Sequence, residues 1–140
     1  MGRIIGIDLG LKRTGLAVTD PDQMIATPLR AIETAQLLEY LKKYCSSEEV
    51  DGFALGDPVK PDGSPTHTTA AVKQMANKLN ELFPDKELFL VDERYTSSMA
   101  MDAMVKGGTT KKYRRDKGNI DKISATIILQ SYLERKSFGH

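Results

Sequence analysis

The chain has one cysteine, two histidines and no tryptophan, and only 6% of its residues are aromatic. The single thiol, Cys45, excludes an internal disulfide, and with only His67 and His140 beside it no zinc cage can be assembled. Long apolar runs are missing too: the longest are a few residues, against the ~20 that a membrane-spanning helix needs. The opening MGRIIGIDLG places Asp8 inside its apolar stretch, offers no small-residue cleavage site, and has no Ser or Thr at the sixth position for myristoylation. A reducing, cytoplasmic setting is the expectation, without a membrane. Charge of one sign is also lacking, since 20 basic residues face 19 acidic ones for a net charge of +1. The overall balance announces no nucleic-acid binder.

What is present is one domain's worth of chain. With 140 residues, 40% hydrophobic and 28% charged, residues 1–140 are expected to form a single soluble α/β domain. Charge is distributed unevenly along it. Between Lys106 and Gly118 stand Lys106, Lys111, Lys112, Arg114, Arg115 and Lys117 against Asp116 alone. Such a run is either a solvated loop or a phosphate-binding one, and its surroundings decide which.

Periodicity gives the elements. Arg3 to Leu9 is apolar on both faces and reads as a central strand. Thr14 to Thr19 pairs with it as a hairpin, and Met24 to Ile32 adds a third strand, held to the sheet edge by Pro28. Thr34 is placed to cap a helix carrying Leu37, Leu38, Leu41 and Tyr44. Gly52 to Gly56 is a short buried strand. A helix from about Thr69 carries Val72, Met75, Leu79 and Leu82, and Glu87 to Val91 is a fifth strand. Thr96 to Val105 has helical spacing, and a last helix runs from Asn119, as N-cap, to about Arg135. The expected architecture is a five-stranded mixed sheet, an antiparallel meander followed by parallel strands, with helices on both faces.

Three acids fall where core-facing residues belong. Asp8 lies in the central strand, on a face shared with Ile4 and Gly6, which offer a carboxylate nothing. Glu93 follows the fifth strand. Asp121 occupies the first turn of the last helix, on a face with Ser124, Ala125, Ile128 and Tyr132. Two Mg²⁺ ions (or Mn²⁺) would neutralise the three, since such ions take oxygen ligands and keep waters. Each acid also has a plain structural alternative: Asp8 bonded to backbone amides, Glu93 paired with Arg94, Asp121 favoured by a helix N-terminus.

The motifs around these acids resemble one family. IGIDLGLKRTGLAVTD (Ile5 to Asp20), VDERYTS (Val91 to Ser97) and IDKISATIILQSYL (Ile120 to Leu133) are similar, in order, to the three signature segments of the YqgF family of RNase H-like proteins. These are pre-16S rRNA nucleases or Holliday-junction resolvase homologues. The resemblance implies an RNase H-like fold, Asp8, Glu93 and Asp121 as catalytic and metal-holding acids, and divalent-metal hydrolysis of phosphodiesters. Pre-16S rRNA, trimmed at its 5′ end, is the first expected substrate; branched DNA, cut by a homodimer, is the alternative. Lys12, Arg13 and Arg94, next to the acids, are placed to hold flanking phosphates, and Lys111, Lys112, Arg114, Arg115 and Lys117 lead into Asp121 as a substrate-binding loop.

The sequence departs from the family's G-[LF]-P at Gly56-Asp57-Pro58, which leaves Asp57 open as an auxiliary ligand or a loop acid. His67 reads as a solvated loop residue or a proton shuttle, and Cys45 as an inert thiol. Two other classes compete. The actin, heat-shock ATPase and sugar-kinase superfamily shares a G-I-D-L-G hairpin but needs twice this length and a second acidic repeat. A non-catalytic RNA-binding assembly factor would keep the fold without turnover.

Overall fold

The structure, a computed structural model, describes residues 2–58, 64, 66, 68–92 and 117–139. Strands β1 (Arg3–Leu9), β2 (Arg13–Thr19) and β3 (Ala26–Glu33) come first, followed by a single 3₁₀ turn at Thr34–Gln36. Helix α1 (Leu37–Ser47), strand β4 (Val50–Asp57), helix α2 (Thr69–Leu82), strand β5 (Glu87–Asp92) and helix α3 (Lys117–Gly139) complete the described chain. The expected helix from Thr96 to Val105 lies outside the described residues. The sheet order is β3-β2-β1-β4-β5, with β1, β2 and β3 antiparallel in sequence and β4 and β5 parallel to β1. This is the expected meander followed by crossover strands.

Side-chain alternation in β1 decides what covers each face. Ile5, Ile7 and Leu9 point to a cluster with Leu16, Phe53, Leu55, Leu37, Leu41, Val72 and Leu79, which α1 and α2 roof. Ile4 points the other way, into a smaller cluster of Ala17, Ala54, Val91, Ala125, Ile128 and Leu129 under α3. Each fully buried aliphatic side chain contributes roughly 1.5–3 kcal/mol against leaving it in water. Because both faces of β1 are covered, its residues between Arg3 and Asp8 are apolar on both sides, as a central strand's are.

Two local expectations are corrected. Thr34 does not cap α1; α1 begins at Leu37 and Gln36 offers no capping side chain. The Thr34 hydroxyl is used elsewhere, donating to the Gly10 carbonyl oxygen at 2.7 Å and bonding the Thr14 hydroxyl at 2.8 Å. Nor is Asn119 the N-cap of α3, which starts at Lys117 and so contains it. The edge position of Pro28 is borne out. β3 is terminal in the sheet, and the pairing slips there, from Leu16↔Arg30 to Ala17↔Pro28, because proline has no N–H to donate to the ladder.

Ser124 of α3 is 1% exposed, and its Oγ is the one buried side-chain polar atom without a hydrogen-bond partner among the described residues. A buried hydroxyl in that condition costs about 1–3 kcal/mol. Ser124→Ala is therefore expected to raise stability by about 1 kcal/mol, seen as a higher urea midpoint with an unchanged m value. A lower midpoint would mean that the hydroxyl has a partner.

Candidate active site

The site is assembled around Gly15. Asp8, near the end of β1, is the cross-strand partner of Gly15 in β2. Residues opposite each other in a ladder share a face, here the α3 face on which Gly6 also lies, against Ala125 and Leu129. One turn before Ala125, the helix passes directly over Gly15. A Cβ on Gly15 would sit 2.0 Å from the Asp121 carbonyl oxygen and 2.9 Å from the Asp121 Cβ. Only the absence of a side chain at residue 15 lets the first turns of α3 descend onto the sheet beside Asp8. Two acids separated by more than a hundred residues thus become neighbours of one glycine.

Arg13 shares this face, two residues before Gly15. Its Nε donates to the Asp121 Oδ2 at 3.2 Å, with the arginine side chain 46% exposed and the aspartate 24%. The hairpin that carries Arg13 is tight and braced. Gly10 N–H donates to the Arg13 carbonyl at 2.9 Å, and Thr34 N–H donates to the Lys12 carbonyl at 2.9 Å. Leu11 and Lys12 form its exposed tip.

The other expected residues fall as follows. Asp57 ends β4 on the face of Phe53 and Leu55, opposite to Asp8; extending the β1–β4 register brings Gly56, not Asp57, beside Asp8. Glu93, Arg94, His67, Lys111, Lys112, Arg114 and Arg115 lie outside the described residues, and of Lys117 only the backbone is described, as the first residue of α3. Among the described residues no three His, Cys, Asp or Glu side chains gather as a metal cage. Cys45 is half-buried, and burial pushes its thiol above the ordinary range, more than neighbouring Lys86 lowers it. That agrees with an inert thiol.

Two cationic residues escaped the sequence reading. Arg30 of β3 and Lys122 of α3 line a cleft of about 300 Å³ with Asn119, next to Asp121 along the helix. Lys122 could have been suspected from its adjacency to Asp121. Arg30 had no signal in the sequence, because only the packing of α3 across β3 brings it there. A second cleft, of about 680 Å³, lies at the opposite end of the sheet, where the acids Glu48, Glu49, Asp51, Asp85 and Glu87 outnumber Lys86 and Lys136. Its sign is wrong for a polyanion.

Comparison with known proteins identifies the family and the fold. Residues 2–135 match the sequence profile of RuvX, described as a Holliday junction resolvase. The chain belongs to the RuvX family. Among relatives named "Putative pre-16S rRNA nuclease", one from Flavobacterium johnsoniae is 44% identical over 138 residues, which is 99% of this chain and 100% of that protein. Another, from Amoebophilus asiaticus, is 48% identical over 133 residues, 95% of this chain and 94% of that one. The RuvX resemblance thus runs through the whole of the three motifs, and the family is one of nucleases. In three dimensions the chain is similar to Thermus thermophilus RuvC in complex with a Holliday junction substrate, with a TM-score of 0.56 and 15% identity. That likeness covers 98% of this chain and 96% of RuvC, and it shows the RNase H-like fold expected from the motifs.

Proposed function

We propose that this RuvX-family chain, acting as one domain over residues 1–140, is a divalent-metal nuclease of the cytoplasm that trims the 5′ end of pre-16S rRNA. The observation that carries the reading is the convergence of Asp8 and Asp121 on Gly15, with a cation, Arg13, already drawn to Asp121. Full-length relatives bearing the rRNA nuclease name support the substrate.

The donors fit Mg²⁺ or Mn²⁺. They are carboxylate oxygens, and magnesium is commonly held by one or two carboxylates with waters and substrate phosphates completing its shell. When bound, two such ions activate the attacking water and stabilise the leaving oxygen of an in-line displacement. Asp8 would present its carboxylate from the central strand, Asp121 its own from the helix seated on Gly15, and Glu93 would supply the third. Lys12 and Arg13 on the braced hairpin, with Arg94, hold phosphates flanking the cut. Lys111, Lys112, Arg114, Arg115 and Lys117 bind the backbone further out.

The test is purified protein with Mg²⁺ on pre-16S rRNA fragments, RNA–DNA hybrids and four-way junctions. Cleavage at the rRNA 5′ end supports the reading, whereas binding without cleavage identifies an assembly factor. A second reading, resolution of branched DNA by a homodimer, is favoured by the family's description and the RuvC likeness; selective cutting of junctions in two strands would establish it. Calcium is expected to support substrate binding but not cleavage, because its longer, looser coordination disturbs in-line geometry. Equal rates in Ca²⁺ and Mg²⁺ would count against the mechanism.

The basic run should govern affinity rather than chemistry. Neutralising Lys112, Arg114 and Arg115 together is expected to lower the slope of log affinity against log salt by about 2–3 units. Turnover at saturating substrate should change little, since these residues bind ground and transition states alike. An unchanged salt slope would return the run to a solvated loop.

A further inference from the structure

Arg13 stands in an unusual relation to Asp121. Its backbone is fixed by a hairpin braced through Thr34, and it shares with Gly15 the face on which α3 descends. Yet among the described residues the side chain bonds through Nε alone, and nearly half of it is exposed. The forked Nη edge of the guanidinium, the part best suited to bind phosphate oxygens in pairs, is left open. A monodentate, half-exposed ion pair is weak, worth at most about 1 kcal/mol. Such a pair yields readily to a stronger competitor for the carboxylate.

We propose that Arg13 is a displaceable counter-ion, holding the Asp121 carboxylate while no metal is bound and passing to a substrate phosphate when a divalent cation takes its place. The inference rests on the metal reading above and adds a coupling to it. The same guanidinium opposes metal binding in the free protein, by pairing with a ligand and by repelling a second cation. It favours nucleic acid once metal is present, because it is then released beside the phosphates that the metal site attracts. Metal and substrate therefore strengthen one another's binding through Arg13, as linkage requires of any shared intermediary. A residue that only holds phosphate lacks the first effect, and one that only supports the fold lacks both.

The experiment measures Mn²⁺ binding to the full chain by electron paramagnetic resonance, without nucleic acid, in wild type, Arg13→Gln, Arg13→Lys and Asp8→Asn. Arg13→Gln is expected to bind Mn²⁺ about two- to fivefold more tightly, the change that corresponds to losing an exposed ion pair. Arg13→Lys should return to the wild-type affinity, because the competition is one of charge. In parallel, affinity for an RNA oligonucleotide is measured with EDTA and with Ca²⁺. Arg13→Gln should weaken RNA binding more in Ca²⁺ than in EDTA, and lower the salt slope by about one unit only in Ca²⁺. If Mn²⁺ binding depends on Asp8 but is unchanged or weaker in Arg13→Gln, the counter-ion role is overturned and the metal reading survives. If the loss of RNA affinity is the same in EDTA and Ca²⁺, the coupling is overturned and Arg13 is a plain phosphate ligand. If wild type binds no Mn²⁺, or Asp8→Asn binds it equally well, the metal reading fails and this inference fails with it.

Discussion

Asp8→Asn is expected to abolish cleavage while the protein remains folded, and in the absence of metal to leave it as stable as wild type or slightly more so. Asparagine keeps the shape of the side chain and removes its charge. Among described residues Asp8 faces the helix that brings in Asp121, so the substitution removes one of two carboxylates held on the same side of the sheet. Relief of that like-charge proximity is the source of any gain in stability. The loss in rate should be at least about a thousandfold, which corresponds to roughly 4 kcal/mol of lost transition-state stabilisation. Single-turnover cleavage at saturating Mg²⁺, together with a thermal melt in EDTA, gives both numbers. Wild-type turnover in Asp8→Asn would remove the two-metal assignment altogether.

Gly15→Ala should be nearly as damaging by a different route. Its added methyl would lie 2.0 Å from the Asp121 carbonyl oxygen, a backbone atom that moves only if the start of α3 lifts. Overpacking of this kind costs about 1–3 kcal/mol, and a displacement of ~1 Å in a positioned group can lower a rate about a hundredfold. Gly6→Ala is the matched control. Its methyl would meet the Ala125 carbonyl oxygen at 2.8 Å and the Leu129 Cβ at 2.9 Å, one turn further along the same helix. Both variants should melt at lower temperature, but the rate per folded molecule should fall much further in Gly15→Ala. Equal losses would show that Gly15 serves packing only.

Much of the fold was legible because it is written in short-range pattern. The two-faced apolar run Arg3–Leu9 is compatible only with a strand covered on both sides, and Pro28 within a strand is compatible only with an edge or a bulge. The antiparallel meander and the parallel strands after it followed from the same pattern, while the order β3-β2-β1-β4-β5 was given by the fold. Local polar chemistry was less legible. Thr34 and Asn119 both have the side chains of helix caps, but a capping hydroxyl or amide has other acceptors to choose from once the chain has folded. For Thr34 the Gly10 carbonyl and the Thr14 hydroxyl, both distant in sequence, were the better partners.

The sequence by itself determined the composition of the candidate site: an acid in a central strand, an acid near the start of the last helix, and a basic hairpin between the first two strands. It did so because a carboxylate on an apolar face has a high desolvation cost that some counter-charge must offset. Asp121, expected in the first turn, stands beyond it because the helix opens at Lys117. The tertiary structure alone decided which groups meet. Asp57, near in sequence to a predicted strand end, is carried to the opposite face by the two-residue alternation of β4. Arg13 is turned from a general phosphate ligand into the partner of Asp121, 108 residues away. Gly15, unremarked among eleven glycines, becomes the point where helix and sheet touch. Periodicity assigns a face to each residue within its own element, but the close approach of a helix to a strand depends on the volumes of side chains that are adjacent only after folding.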